Sequence, residues 1–417
     1  MNSAQEIYAR LGLGAPDEAT AAAWDETQRS YPGNSGGAPF LFAPDYVARC
    51  CAEMQLSADV ADALKLAANE CHGNEDINRL GWHWHQRLTI GARIPYFPAV
   101  WDLNANWGRL FFALVFVGRT PGILEFHRSR RIVHAVSVDT LSDLELWIRE
   151  HKRLKGEWGM HMPGWITNHF AGRLFKLGRL QFESHTSYSD VVAYRNAATR
   201  QVVLFAGSGA FRADGQYASA DRGLQPAAFT AEFSDDGSCI RGHRISPRGF
   251  VLRDPVELNA AEWTRIFGRG DPVLGIHIAA TGPMDHVECG NSMFRAAPFF
   301  AAHFPERPFK AFACGSWLLD PQFEKYLPKE SNIVRFLSEF YLHPAPHAQD
   351  EQTYERVFDN AHINVNVAPQ RSTLQKAIVE HVKAGGRWRA GSALYFPEDL
   401  NWGGQVYRGM WPDEPKG

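Results

Sequence analysis

The sequence predicts an α+β fold: a helical N-terminal domain, then a mixed α/β domain with a central, largely antiparallel sheet. Three observations lead there. Apolar stripes at helical spacing dominate the first part of the chain, short β-rich runs begin after Gly164, and a strand, turn, helix, strand unit spans Val273 to Trp317. At 417 residues the chain exceeds what one hydrophobic core usually holds, and the division is read as 1–140 and 141–417.

The elements follow in order. Val60, Ala63, Leu64, Ala67 and Cys71 share one face of a helix that Ser57 can cap, and Leu141, Leu144 and Ile148 form a second stripe. Between them, Asn74 to Leu88 and Trp107 to Val117 lack period-two alternation, so this part is read as helical. Beyond Gly164, the segments Leu177 to Glu183, Val191 to Arg195, Gln201 to Ala206 and Phe229 to Phe233 read as strands separated by Gly, Asp and Ser clusters. Asn259 followed by Glu262 has the spacing of a capping box and predicts a helix over Ala260 to Phe267. Val273 to Ala279 reads as a buried strand, Ala280 to Met284 as a small-residue turn, Asp285 to Phe304 as a helix and Phe309 to Trp317 as a strand. That helix has an apolar stripe at Phe294, Ala297, Ala301 and Phe304, while Gly290 and Pro298 predict a kink or a late start. Asp320 before Pro321 reads as a helix N-cap, and a last helix is expected over Thr373 to Ala384, closed by Gly385 and Gly386.

Composition excludes several classes. The hydrophobic share of 45% against 21% charged residues offsets the entropy of ordering and argues against disorder. Lys plus Arg number 43 against 46 Asp plus Glu, a formal charge of -3, which does not point to nucleic acid or an anionic membrane as partner. The longest apolar run, Leu110 to Val117, falls far short of the roughly 20 residues that span a bilayer. Six cysteines in so long a chain form neither a disulfide framework nor a CxxC pair, and are read as reduced thiols in a cytoplasmic protein. His83 and His85 fall on different sides of a helix, and without a paired carboxylate no metal site is expected.

Four places carry chemistry. The turn from Ala280 to Met284 presents backbone N–H groups and a helix N-terminus where a phosphate or pyrophosphate could sit, although neither GxxxxGK[ST] nor GxGxxG is present. Alternation puts His277 on the same strand face as the small residues Gly275 and Ala279, a placement that suits either a general base or a hydrogen-bonded structural histidine. Arg179, Gln181 and Glu183 alternate with Leu180 and Phe182, giving either a solvated face or a cleft wall with Glu183 as a base. Cys314 and Ser316 share a face near a strand end, but no G-x-S-x-G elbow or neighbouring base supports a covalent nucleophile there.

Several stretches occur together in a characteristic order: GRLFKLGRLQFE from Gly172 to Glu183, GDPVLGIHI from Gly270 to Ile278, CGSWLLDP from Cys314 to Pro321, SNI from Ser331 to Ile333 and TLQ from Thr373 to Gln375. They resemble bacterial acyltransferases built from an N-acyltransferase N-terminal domain and a GNAT-like C-terminal domain, and the resemblance covers nearly the whole chain. It implies a GNAT-like core in which acyl-CoA, as co-substrate without a metal, lies in a splayed gap between two strands. Its pyrophosphate would be held by the turn after the central strand, here Ile278, Ala279, Ala280, Thr281 and Gly282, with Ser316 on the facing strand. A small-molecule amine would attack the thioester directly, with Glu183 and His277 as candidate bases and Tyr326, in the helix expected after the second strand, as candidate acid. The turn departs from the family pattern: Ala279 stands where a proline is usual, and Thr281-Gly282 replaces a Gly-Gly pair. The alternative reading is a non-catalytic GNAT-like module that senses acyl-CoA or joins a protein complex.

Overall fold

The computed structural model describes residues 2–36, 40–103, 106–221, 225–346 and 350–412. The chain divides into two compact units, Met1–Leu177 and Gly178–Gly417.

The first unit is helical: α1 (Ala4–Arg10), α2 (Glu18–Arg29), α3 (Pro44–Glu53), α4 (Ala58–His72), α5 (Glu75–Arg87), α6 (Asn106–Gly118), α7 (Thr120–Ser129), α8 (His134–Leu141), α9 (Asp143–Lys155), α10 (Pro163–Phe170) and a short strand β1 (Leu174–Lys176). Local signals set its boundaries. Asn74 Oδ1 accepts from the amides of Asp76 and Ile77 to start α5, and Pro44 opens α3 where no amide donor is needed. Ser57 does occupy the N-cap position of α4, but its hydroxyl donates to Glu145 on α9 (2.6 Å) instead of bonding the helix's first turn. Every residue from Leu110 to Val117 is buried, so α6 is apolar all round because the other helices surround it. The stretch Trp107–Ser129 is long and apolar enough to cross a membrane, yet 72% of its most apolar window lies buried in this core.

The sequence division at 140/141 falls inside this unit. Leu144, Ile148, Met160, Ile166 and Phe170 all belong to the same apolar cluster as Val60 and Leu64, which ties α9 and α10 to the helices before them. The unit therefore closes about 37 residues later, at Leu177.

The second unit holds β2 (Leu180–Thr186), β3 (Val191–Asn196), β4 (Val202–Ala206), β5 (Gly209–Phe211), β6 (Phe229–Ala231), β7 (Phe233–Asp235), β8 (Cys239–Ser246), β9 (Phe250–Asn259), β10 (Trp263–Phe267), β11 (Pro272–Ile278), α11 (His286–His303), β12 (Ala311–Ser316), α12 (Phe323–Tyr326), α13 (Asn332–Ser338), β13 (Tyr341–Pro344), α14 (Asp350–Phe358), α15 (Thr373–Lys383), β14 (Gly391–Tyr395) and α16 (Val406–Met410). Its main sheet runs β2-β11-β12-β14-β13; a second runs β10-β3-β4-β8-β7 with β9 on β8, and β5 pairs β6. Within the unit the strand ladders are antiparallel except β11 with β12, the pair joined by the crossover helix α11.

Three sequence expectations are corrected here. No helix covers Ala260 to Phe267: Asn259 Oδ1 accepts from the Ala261 amide (3.1 Å) in a tight turn, and Trp263–Phe267 pairs with β3 as a strand. The Asn-x-x-Glu spacing marks that turn, and the β-favouring Trp, Thr, Ile and Phe after it decide for strand. Helix α11 runs unbroken through Gly290 and Pro298, and it buries Cys289, Met293, Ala296 and Phe300 while Phe294 and Ala301 are exposed. The reason is Trp402, whose ring lies where a Cβ on Gly290 would come within 2.5 Å and so fixes which face turns inward. Asp320 is not the N-cap of α12, a position that Gln322 holds; wholly buried, it accepts from the amides of Gln322 (3.0 Å) and Arg389 (2.7 Å) and pins the turn after β12.

Candidate active site

The ladder between β11 and β12 covers only Val273–Gly275 against Ala311–Ala313. Each strand nevertheless stays paired with its outer neighbour: β11 with β2 as far as Ile278 opposite Leu180, and β12 with β14 as far as Ser316 opposite Gly391. The two strands therefore part beyond Gly275. The edges of Ile276–Ile278 and Cys314–Ser316 face a gap in which neither has a ladder partner, so backbone donors and acceptors are left for a ligand.

The turn at the end of β11 is organised from outside. The guanidinium of Arg179, just before β2, donates to the carbonyls of Ala279 (3.0 Å), Gly282 (3.1 Å) and Pro283 (3.0 Å). Ser292 on α11 accepts from the Arg179 amide (2.9 Å) and holds that segment against the helix. With the carbonyls of Ala279, Gly282 and Pro283 committed to Arg179, the turn has the amides of Ala280, Thr281, Gly282 and Met284 without partners among the described residues. Gly282 adopts φ +70°, a left-handed conformation that suits glycine. Asp285 caps α11 by accepting from the Glu288 amide (3.0 Å), and the helix adds its positive N-terminal end. Behind it, Glu339 accepts from His286 Nε2 (2.9 Å) and from the amide of Gly403 (2.9 Å), while Trp402 Nε1 donates to the His286 carbonyl (2.8 Å). These bonds anchor the first turn of α11.

The register of β2 against β11 sets Glu183 opposite Gly275 and Gln181 opposite His277, all on one face. Gln181 is wholly buried and the Glu183 side chain is 12% exposed, so this face is a cleft wall, not a solvated surface. His277 Nε2 lies 3.5 Å from Glu183 Oε2, with the imidazole one-third exposed. The arrangement sets a partly exposed imidazole against a carboxylate on one wall of the cleft, with the facing nitrogen Nε2 itself buried.

One further residue joins them. His185 Nδ1 donates to the Thr186 carbonyl (2.9 Å), which leaves Nε2 as the basic nitrogen. That nitrogen occupies the space over Gly275, where a Cβ would sit 2.5 Å from it. Gly275 thus makes room for an imidazole on the same face as Glu183 and His277. The alternation Gln181, Glu183, His185 carries this placement in the sequence, but the expected strand stopped at Glu183.

The remaining predicted residues sit as follows. Ile278 and Ala279 lead from the gap into the turn, and Ser316 ends β12 on the opposite side, its hydroxyl accepting from the Leu318 amide (3.2 Å). Tyr326 is not brought to Glu183 or His277. His381 Nε2 donates to the Arg387 carbonyl (3.0 Å), so its Nδ1 accepts the Tyr326 hydroxyl (2.9 Å) and the phenol's proton is committed there. Its ring packs on Trp388. Cys314 is buried and its thiol is pushed up to about 12 by desolvation, which removes the thiolate that nucleophilic catalysis needs. Among the described residues no group of three or more His, Cys, Asp and Glu converges as a metal site. His83 and His85 bond instead to Thr27 Oγ1 (2.8 Å) and the Gly118 carbonyl (3.3 Å).

Comparison with known proteins fits this architecture. A model for the GNAT-like C-terminal domain matches residues 174–395, and one for the N-acyltransferase N-terminal domain matches 45–172. The chain belongs to the acyltransferase family with this domain pair. The boundary between the two matches falls close to the division at Leu177. Among solved structures, over 95% of this acyltransferase is similar to an acyltransferase in complex with CoA and 10C-teicoplanin, with TM-score 0.65, 23% identity and 99% of that chain covered. An acyltransferase in complex with decanoyl-CoA gives TM-score 0.65 and 24% identity over 95% of this chain and 100% of that one. An acyltransferase mutant in complex with octanoyl-CoA gives 0.64 and 23% over 95% and 99%. At these identities the likeness is one of fold. Comparison with curated proteins gives no match.

Proposed function

We propose that this acyltransferase moves an acyl group from a coenzyme A thioester to an amine by direct attack, with the gap between β11 and β12 as the donor site. The observation that carries the reading is the parting of two parallel strands directly before a turn whose carbonyls are tied back and whose amides are open. A pantetheine arm presents amides that match open strand edges, and a pyrophosphate matches the amides of Ala280 to Met284 at the N-terminus of α11.

In this reading the amine approaches on the Gly275 face. His277 takes its proton as the nitrogen attacks the thioester carbonyl, and Glu183 stabilises the imidazolium. Collapse of the adduct forms the amide bond and breaks the carbon–sulfur bond, and the imidazolium returns the proton to the thiolate. Backbone amides along the open edge of β11 are the groups placed to polarise the carbonyl. The acceptor is read as a small amine; similar structures hold teicoplanin, so an amine carried on a glycopeptide belongs in the same screen. Octanoyl- and decanoyl-CoA in those structures make medium-chain donors the first choice.

The test is calorimetric titration with CoA, acetyl-CoA, octanoyl-CoA and decanoyl-CoA at one salt concentration, followed by thiol release with an amine panel. Saturable binding and amine-dependent release of free CoA are expected. Absence of binding to all four ligands would overturn the proposal.

A further inference from the structure

A cavity of about 390 Å³ lies within the second unit, and none of its lining residues comes from β11, β12 or the turn after β11. Five cationic side chains, Arg248, Lys325, Lys329, Arg389 and Arg408, line it with two carboxylates, Asp214 and Glu324. Both carboxylates are already shared. Glu324 accepts from Arg248 Nη1 (3.0 Å) and from Arg408, and Asp214 accepts from Arg389 Nη2 (3.0 Å) and from Arg212. Lys325 and Lys329 have no carboxylate partner among the described residues, and the buried Nε atoms of Arg389 and Arg408 have no hydrogen-bond partner there.

The walls therefore carry a surplus of three positive charges around a space of small-molecule size. Like charges gathered in a concave site repel one another and focus the potential on its interior, which favours an anion. A surplus of three suits a multiply charged group better than one carboxylate: a phosphate ester carries roughly -1.5 to -2 at neutral pH. Guanidinium forks also match its oxygens in pairs. The volume exceeds the needs of a lone inorganic ion and leaves room for an organic body.

We propose that this cavity binds a small molecule bearing a phosphate ester or pyrophosphate group. The group could come from the nucleotide end of a coenzyme or from a separate organic phosphate; the recognising chemistry is the same. The proposal does not depend on the acyl-transfer reading, since none of its residues lines the gap.

The test is calorimetric titration of the full chain with pyrophosphate, adenosine 3′,5′-bisphosphate and CoA, comparing the parent with the double variant Lys325→Glu, Lys329→Glu. Both lysines are exposed and make no ion pair among the described residues, so the variant is expected to keep the parent melting temperature. At least tenfold weaker binding of pyrophosphate or adenosine 3′,5′-bisphosphate to the variant is expected, with affinity falling as salt rises. If CoA weakens in parallel, the occupant is the coenzyme's nucleotide end; if CoA affinity is unchanged, it is a separate organic phosphate. No binding of either phosphate probe to the parent at millimolar concentration, or equal binding to parent and variant, would overturn the proposal.

Discussion

Replacing Arg179 with methionine keeps an unbranched apolar stem and removes the fork that ties back the turn after β11. Three hydrogen bonds to carbonyl oxygens are lost. A bond from a charged donor contributes about 1.5–3 kcal/mol, but the full sum does not apply. Gly282 and Pro283 are exposed, so their carbonyls regain water, whereas Ala279 is buried and its carbonyl does so less readily. The net cost felt by the turn is therefore about 1–3 kcal/mol, which corresponds to roughly 5- to 150-fold weaker binding of CoA if the turn must be reorganised on binding. Arg179→Lys keeps the charge on a single point and should fall between the two. The assay is calorimetric titration with CoA, with a melting curve for each variant. If Arg179→Met binds CoA within twofold of the parent and melts at the same temperature, the claim that Arg179 shapes an anion-binding turn fails.

Other expectations follow from the same geometry. His277→Ala should lower kcat by about 10²- to 10⁴-fold while CoA affinity stays within twofold, and Glu183→Gln should show a smaller loss of the same kind; turnover at the parent rate in both would remove the base. Gly275→Ala puts a methyl group where His185 Nε2 lies, so the ring must move and acylation should slow even though the strand still forms, as near-ultraviolet circular dichroism and rates together would show. With its thiol at about 12, Cys314 should be unmodified by iodoacetamide at pH 8 and should carry no acyl adduct after incubation with donor alone; a mass increase there would reopen covalent catalysis. Burial lowers His83 to about 3 and His85, His127 and His343 to about 4, so each is neutral in the fold and charges in the unfolded chain. Their contribution is complete above pH 6.5 and is lost as pH falls toward 4, by about 1.4 kcal/mol per pH unit for each group. A melting temperature that stays level from pH 7 to 4.5 would contradict this.

Much of the site was legible because strands have a strict period of two. Alternation alone put His277 with Gly275, and Glu183 with Gln181, on single faces, and the register of β2 on β11 turns those two patterns into one wall. What stayed hidden depended on partners distant in sequence. Arg179 meets a turn about 100 residues away, and nothing in its own segment signals that contact. The stripe chosen for α11 differs from the buried one because this helix carries apolar residues on more than one side, and Trp402 against Gly290 decides between them. Asn259 and Glu262 imitate a helix start, since an Asx turn uses the same side-chain acceptor. Tyr326 lies in the helix the sequence led one to expect, but position in a helix does not fix where a hydroxyl points, and His381 takes it.

The most direct test is amide hydrogen exchange of the parent protein with and without saturating octanoyl-CoA. The account predicts slowed exchange concentrated at Ile276 to Met284 and Cys314 to Ser316, where strand edges without a ladder partner and the open turn face the gap. Saturable binding without protection in those two segments would place the donor elsewhere and contradict the assignment of the gap.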